Sequence, residues 1–217
     1  MAKGIGKKTH SARRAPRLAS GGAIREAATR LFLERGYQLT SMDEIAAAAG
    51  VSKQTIYTHF AGKEELFADL VLANAERVDA FILGLREGMD APDVRGYLRR
   101  LARAYLAFVI RPEVLRLRRL VLGEASRFPD LARTYYERVP ERVYLAIAGL
   151  FKEMAGQGRL RVADPVVAAH HFVWLTLGLP LDRGMFDVGA AAPPAAELDQ
   201  LSESAVDVFL SAYAPDR

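Results

Sequence analysis

Apolar residues recur along the chain at helical spacing, and no segment keeps a strict alternation of apolar and polar positions, so an all-α fold is expected. Ile24, Ala27, Ala28, Leu31 and Phe32 stand at i, i+3, i+4, i+7 and i+8, which gives a first helix over about residues 22–35 a single apolar face. Gly36 follows where a left-handed stop is wanted. Ser41 and Glu44 have the spacing of a capping box, and Gly50 ends the helix they open after barely two turns. Ser52 is a second N-cap, so the third helix, about residues 53–59, is as short as the second. Two such helices are unstable by themselves in water. Ile24, Leu31, Phe32, Ile45, Val51, Ile56 and Phe60 supply the core they share with the first.

A long amphipathic helix is expected from Lys63 to about Leu85, buried along Leu66, Phe67, Leu70, Val71, Val78, Phe81, Ile82 and Leu85. Further helices fall at about 92–110, 112–122, 130–154, 165–179 and 197–213, with Pro140 kinking or splitting its helix. Residues 182–196, with two Gly and two Pro, read as a loop. The helix over 165–179 is apolar on more than one face. One face serves the core, so the other is expected to meet a second copy of the chain. Val166, Ala169, His170, Val173, Leu177, Leu201, Phe209 and Leu210 are the expected homodimer interface, a four-helix bundle across a two-fold axis.

Composition sharpens this picture in three places. An apolar fraction of 51 % over 217 residues is enough for a full core. Cysteine is absent, which removes disulfides, thiolate nucleophiles and cysteine-ligated metals and fits a cytoplasmic protein. Charge is uneven: residues 1–65 carry eleven Lys or Arg against six Asp or Glu, and the rest carry nineteen against twenty. The basic excess suggests a polyanionic partner for the N-terminal end. Residues 1–18 are expected to be a basic disordered tail; with no apolar run they do not read as a signal peptide. The most apolar stretch, 166–181, is broken by polar residues and shorter than the roughly 20 a membrane span needs.

The layout over 41–60, two short helices around a Gly turn, is that of a helix-turn-helix, whose second helix lies in the DNA major groove. Gln54 can form paired hydrogen bonds to adenine, and Thr55 and Thr58 offer a hydroxyl or a methyl. Tyr57 and His59 can donate to phosphate, and Lys63 adds positive charge. An ordinary helical hairpin with a polar outer face has the same outline.

The segment LTSMDEIAAAAGVSKQTIYTHFAGKEELF resembles the signature of the TetR (tetracycline repressor) family of bacterial transcriptional regulators. The resemblance rests on Thr40-Ser41, Ile45-Ala46, Ala49-Gly50-Val51-Ser52, Ile56-Tyr57, His59-Phe60 and Lys63-Glu64-Glu65-Leu66, with Leu31-Phe32 and Gly36-Tyr37 before them. It covers about residues 19–78, implied to be the DNA-binding domain. It implies DNA contacts by Thr40, Ser41, Ser52, Lys53, Tyr57, His59 and Lys63, with positions 54, 55 and 58 setting the operator sequence. Gln54 departs from the commoner Lys-Gly start of the third helix. Residues 124–129, EASRFP, look like the C-terminal region of the AefR-like subgroup. The resemblance also implies that residues 79–217 form a larger helical domain that dimerises and binds a small effector, whose arrival releases a palindromic operator.

Phe81, Tyr105, Phe108, Phe128, Tyr135 and Trp174 are the candidate lining of an apolar or aromatic effector's pocket, although aromatics at helical spacing are more often plain core. His170 and His171 point about 100° apart on a helix and do not suit one metal ion; no cofactor is expected. Two rival readings stand beside the regulator. One is an enzyme, for which no phosphate-binding Gly loop or locally supported catalytic triad is present. The other is an architectural DNA-binding protein without an effector.

Overall fold

The computed structural model describes residues 14–73, 75–187, 189 and 193–215, and it is helical, with no strand among the described residues. The chain divides into two compact units, Met1–Val71 and Leu72–Arg217.

In the first unit α1 spans Arg14–Arg35, α2 Met42–Ala48 and α3 Lys53–His59, and α4, Lys63–Ala73, begins there. The N-terminal segment differs from expectation, because α1 already includes residues 14–18. Pro16 falls in the first turn, where its missing N–H costs no helical hydrogen bond. The rest of the basic tail lies outside the described residues. Ile24, Leu31, Phe32, Ile45, Ile56 and Phe60 are buried as expected, and Val51 is half-buried. Phe67 of α4 completes this core edge-on to Phe32 at 5.5 Å and 4.9 Å from Tyr37.

The long helix expected from Lys63 is described as α4 and α5, Ala75–Leu85; Asn74 between them lies outside the described residues. The second unit continues with α6 (Val94–Val109), α7 (Pro112–Gly123), α8 (Pro129–Tyr136), α9 (Arg142–Gly156), α10 (Pro165–Phe186) and α11 (Ala195–Tyr213). Between α8 and α9 the residues Glu137–Glu141 form a π-helical turn around the buried Pro140, so the expected kink takes this form. The expected loop start at Asp182 is overturned. α10 runs through Pro180 to Phe186, although Pro180 cannot donate to the Thr176 carbonyl and its ring crowds that carbonyl.

The core of the second unit is centred on Phe151, Phe172 and Phe209, each fully buried, with ring centroids 5.1–5.4 Å apart. The buried Tyr97 hydroxyl donates to the Leu85 carbonyl at 2.8 Å, and desolvation pushes its pKa up to about 12. Above this core α6 and α11 run antiparallel. Arg95, Arg99 and Arg103 on α6 pair with Asp207, Glu203 and Asp199 on α11, the last two pairs at 3.3 and 2.8 Å.

Candidate nucleic-acid interface

The turn that aims α2 is fixed from both sides. Gly36 takes φ +79°, a conformation that disfavours side chains, and stops α1. The Thr40 hydroxyl then donates to the Gly36 carbonyl at 2.9 Å and lies 3.3 Å from that of Leu31. Thr40 is 2 % exposed, so its side chain holds this corner and does not face outward. Its expected role as a DNA-contacting side chain is corrected accordingly. The Glu44 N–H donates to Ser41 Oγ at 3.2 Å, and the Ser41 N–H donates to the Glu44 carboxylate at 2.8 Å. That backbone bond, with the Ser41 hydroxyl, holds the Glu44 carboxyl below its ordinary range.

Gly50, at φ +66°, ends α2, and the Val51 N–H returns to the Ala46 carbonyl at 3.0 Å. Ser52 opens α3 by accepting from the Thr55 N–H at 3.1 Å, and its hydroxyl shares a 2.8 Å hydrogen bond with that of Thr55. Lys53 and Asp43 form an exposed ion pair at 2.7 Å between α3 and α2, which raises the Lys53 pKa.

With Ile56 turned inward, α3 presents Gln54, Tyr57 and Thr58 to solvent. The Gln54 side-chain amide makes no hydrogen bond among the described residues; its backbone carbonyl accepts from Thr58 Oγ1 at 2.9 Å. Tyr57 is 45 % exposed. The Lys63 ammonium stands 4.3 Å from the Tyr37 ring centroid and 3.4 Å from the Gln38 carbonyl. Ser41, Lys53, Tyr57 and Lys63 thus border one concavity of about 440 Å³. His59 sits apart from them: it is half-buried, with Nε2 3.1 Å from the Ser20 hydroxyl on α1. The structure adds Gln38 and Leu39 to the rim, the latter 76 % exposed. Their signal in the sequence is only a polar and an apolar residue directly before the capped helix.

The six aromatics assigned to an effector pocket do not share one place. Phe81 stacks on Phe108 at 4.4 Å and lies 6.0 Å from Tyr105. Tyr105, Tyr135 and Tyr144 are buried, and burial raises all three tyrosine pKa values, with Arg118 nearby opposing the shift. Tyr144 and Arg118 were not visible as members of this group in the sequence. Phe128 is half-buried at the start of α8 beside the Arg127 guanidinium. Trp174 is 54 % exposed and is corrected from pocket to surface.

The expected dimer residues also divide. Ala169, Val173, Leu177 and Phe209 are buried in the chain's own core, so they are not available to a partner. Leu201 and Leu210 are half-buried, and Val166 and His170 are exposed. The large apolar residues that α10 leaves exposed are Val166, Val167, Trp174, Leu175, Leu179 and Phe186, with Val208 on α11. His171 meets the Tyr213 hydroxyl at 2.6 Å. Among the described residues no His, Asp and Glu group suits a metal, and no helix is long and apolar enough to cross a membrane.

The pattern of α1–α4 matches the tetR family of bacterial regulatory proteins over residues 24–70, and residues 96–215 match the C-terminal domain of AefR-like transcriptional repressors. The chain belongs to the TetR family of transcriptional regulators. A TetR-family regulator of known structure from Mesorhizobium loti is 37 % identical, with a TM-score of 0.83 over 95 % of this chain and 100 % of that one. The flavonoid-responsive regulator FrrA is 34 % identical, with a TM-score of 0.69 over 91 % of this chain and 98 % of FrrA. The transcriptional activator FasR of Mycolicibacterium smegmatis is 40 % identical over 98 residues, 44 % of this chain and 43 % of FasR. The match with FasR therefore spans less than half of either protein. TetR-family members regulate transcription and are not enzymes, so the enzyme reading falls.

Proposed function

We propose that the chain is a repressor that binds a palindromic operator as a homodimer and leaves it when a small apolar or aromatic effector binds. The observation that carries the DNA half is the outer face of α3. Gln54, Tyr57 and Thr58 are exposed there, and Ser41, Lys53 and Lys63 border the adjoining concavity. Gln54 and Thr58, with Thr55 beside them, read base edges. Ser41, Ser52, Lys53, Tyr57 and Lys63 hold phosphates and set the register. Residues 19–78 act as the DNA-binding part and 79–217 as the effector and dimer part, in the cytoplasm. Support for the homodimer comes from the exposed apolar face of α10, Val166, Val167, Trp174, Leu175 and Leu179, which a second copy would cover. Support for the effector comes from FrrA, which is described as flavonoid-responsive.

Selection of bound duplexes from a random pool tests the reading. The expected result is a palindrome whose half-sites lie about 34–36 Å apart, or a multiple of this. Binding without an enriched motif would favour the architectural alternative and end this one.

A further inference from the structure

Apart from the aromatic group around Tyr105, the second unit holds a cavity of about 620 Å³. That is within the range of roughly 300–1,000 Å³ usual for small-molecule sites. Two helix faces build it. Pro112, Leu115, Arg116 and Arg119 stand at i, i+3, i+4 and i+7 on α7. Pro180, Arg183, Gly184 and Asp187 repeat that spacing at the end of α10. The helices approach closely at Gly184, where a Cβ would come within 2.7 Å of Leu115 Cδ1. Glu197 of α11 lies on the rim.

The wall is apolar with a guanidinium excess. Leu115, Ile110 and the prolines offer hydrocarbon, and three arginines face two carboxylates. Arg183 is engaged with Glu197 at 3.4 Å. Arg119 donates to the Gly184 carbonyl, and Arg116 Nε donates to the Pro112 carbonyl at 3.3 Å. Those bonds are to neutral oxygens, so Arg116 and Arg119 meet no carboxylate among the described residues. A planar guanidinium matches a carboxylate through two parallel N–H···O bonds. A neutral guest would cover the same guanidiniums without supplying such a partner, which is costly.

We propose that this cavity is the effector site and takes a small monocarboxylate with an aromatic or aliphatic body, its carboxylate held by Arg116 and Arg119. The proposal rests on the effector-responsive reading above and names the chemistry that reading leaves open. It also departs from the apolar aromatic pocket expected from the sequence. The guest would touch the end of the helix whose exposed face is assigned to the dimer, so a preference for one dimer arrangement would be felt at that seam.

Calorimetry on the full chain with 1-naphthoate and octanoate, each beside its neutral alcohol, tests the site. Both the carboxylate over its alcohol and wild type over Arg116→Met should show at least about a tenfold advantage, the usual worth of a charge-assisted contact. Arg116→Lys keeps the charge without the fork and should fall between them. Arg100→Met, outside the cavity, should bind as wild type does, and a melting curve on each variant shows that it is folded. Equal binding of acid and alcohol, unchanged affinity in folded Arg116→Met, or no carboxylate binding below about 1 mM overturns the site. Operator affinity is read in the same samples. A carboxylate that binds through Arg116 and leaves operator affinity unchanged overturns the effector role while the site stands. Operator release by an unrelated compound, with no carboxylate bound, overturns the site and leaves effector response intact.

Discussion

Phe209 distinguishes a core residue from an interface residue. It is fully buried, with ring centroids 5.1 Å from Phe151, 5.2 Å from Phe172 and 4.5 Å from Tyr213, the last stacked. Phe209→Ala removes a whole buried ring and leaves a void among three aromatics that cannot close it fully. The cost of Phe→Ala in a core is about 3–5 kcal/mol, and three lost ring pairs at about 0.5–1.5 kcal/mol each place this site at the upper end. Against a total stability of about 5–15 kcal/mol, that is a large share. At roughly 2–4 °C per kcal/mol for a chain of this size, the midpoint should drop by roughly 6–20 °C. Urea titration followed by circular dichroism gives the free energy, and light scattering on the folded fraction gives the mass. The expected outcome is a much less stable protein whose folded fraction keeps its assembly. A loss under about 1 kcal/mol with a halved mass would mean that Phe209 faces a partner, and the core argued here would be wrong.

Trp174→Asp and Leu179→Asp should do the opposite, splitting the proposed dimer while the monomer stays folded, because both side chains are exposed in the single chain; light scattering showing wild-type mass in both would contradict the seam. Gln54→Ala should change which operator is preferred, at roughly 1–3 kcal/mol for the affected base pair, whereas Lys63→Ala should weaken all duplexes alike and flatten the salt dependence. An identical selected motif for Gln54→Ala would remove its base-reading role. Burial raises the Tyr105 pKa above the ordinary 10.0, so the unfolded chain loses that proton first and stability falls as pH rises above that value. Tyr105→Phe should lessen that fall by at most about 1.4 kcal/mol per pH unit, and an unchanged slope in alkaline unfolding would refute the assignment.

Local chemistry was the most legible part of the chain. Ser41 with Glu44, Ser52, Gly36 and Gly50 act through backbone groups within a few residues, so their spacing alone foretold the caps and stops that were found. Inside and outside on α10 were not legible. With apolar residues on more than one face, its periodicity has no unique phase, and only tertiary packing decides that Val173 turns in and Trp174 out. Thr40 misled for a similar reason. A threonine before an N-cap suits a surface or a corner equally, until the Gly36 and Leu31 carbonyls are in place to receive it. Arg116 and Arg183 lie far apart in sequence, so the cavity they share has no signature along the chain.

The three ion pairs between α6 and α11 recur every four residues on both helices. Such a ladder is nearly degenerate to sliding. If α11 moved along α6 by four residues, about 6 Å, two of the three arginines would meet an acid again. The charges therefore attract the helices but favour the observed axial position by only the one pair lost on sliding, and as exposed pairs each contributes at most about 1 kcal/mol. Selection falls mainly to the buried side of α11, Leu198, Ala205, Val206 and above all Phe209, whose ring sits between Phe151 and Phe172. Reversing the charges of one rung should therefore leave the register of α11 intact, whereas shrinking that ring would allow the helix to stand in more than one register.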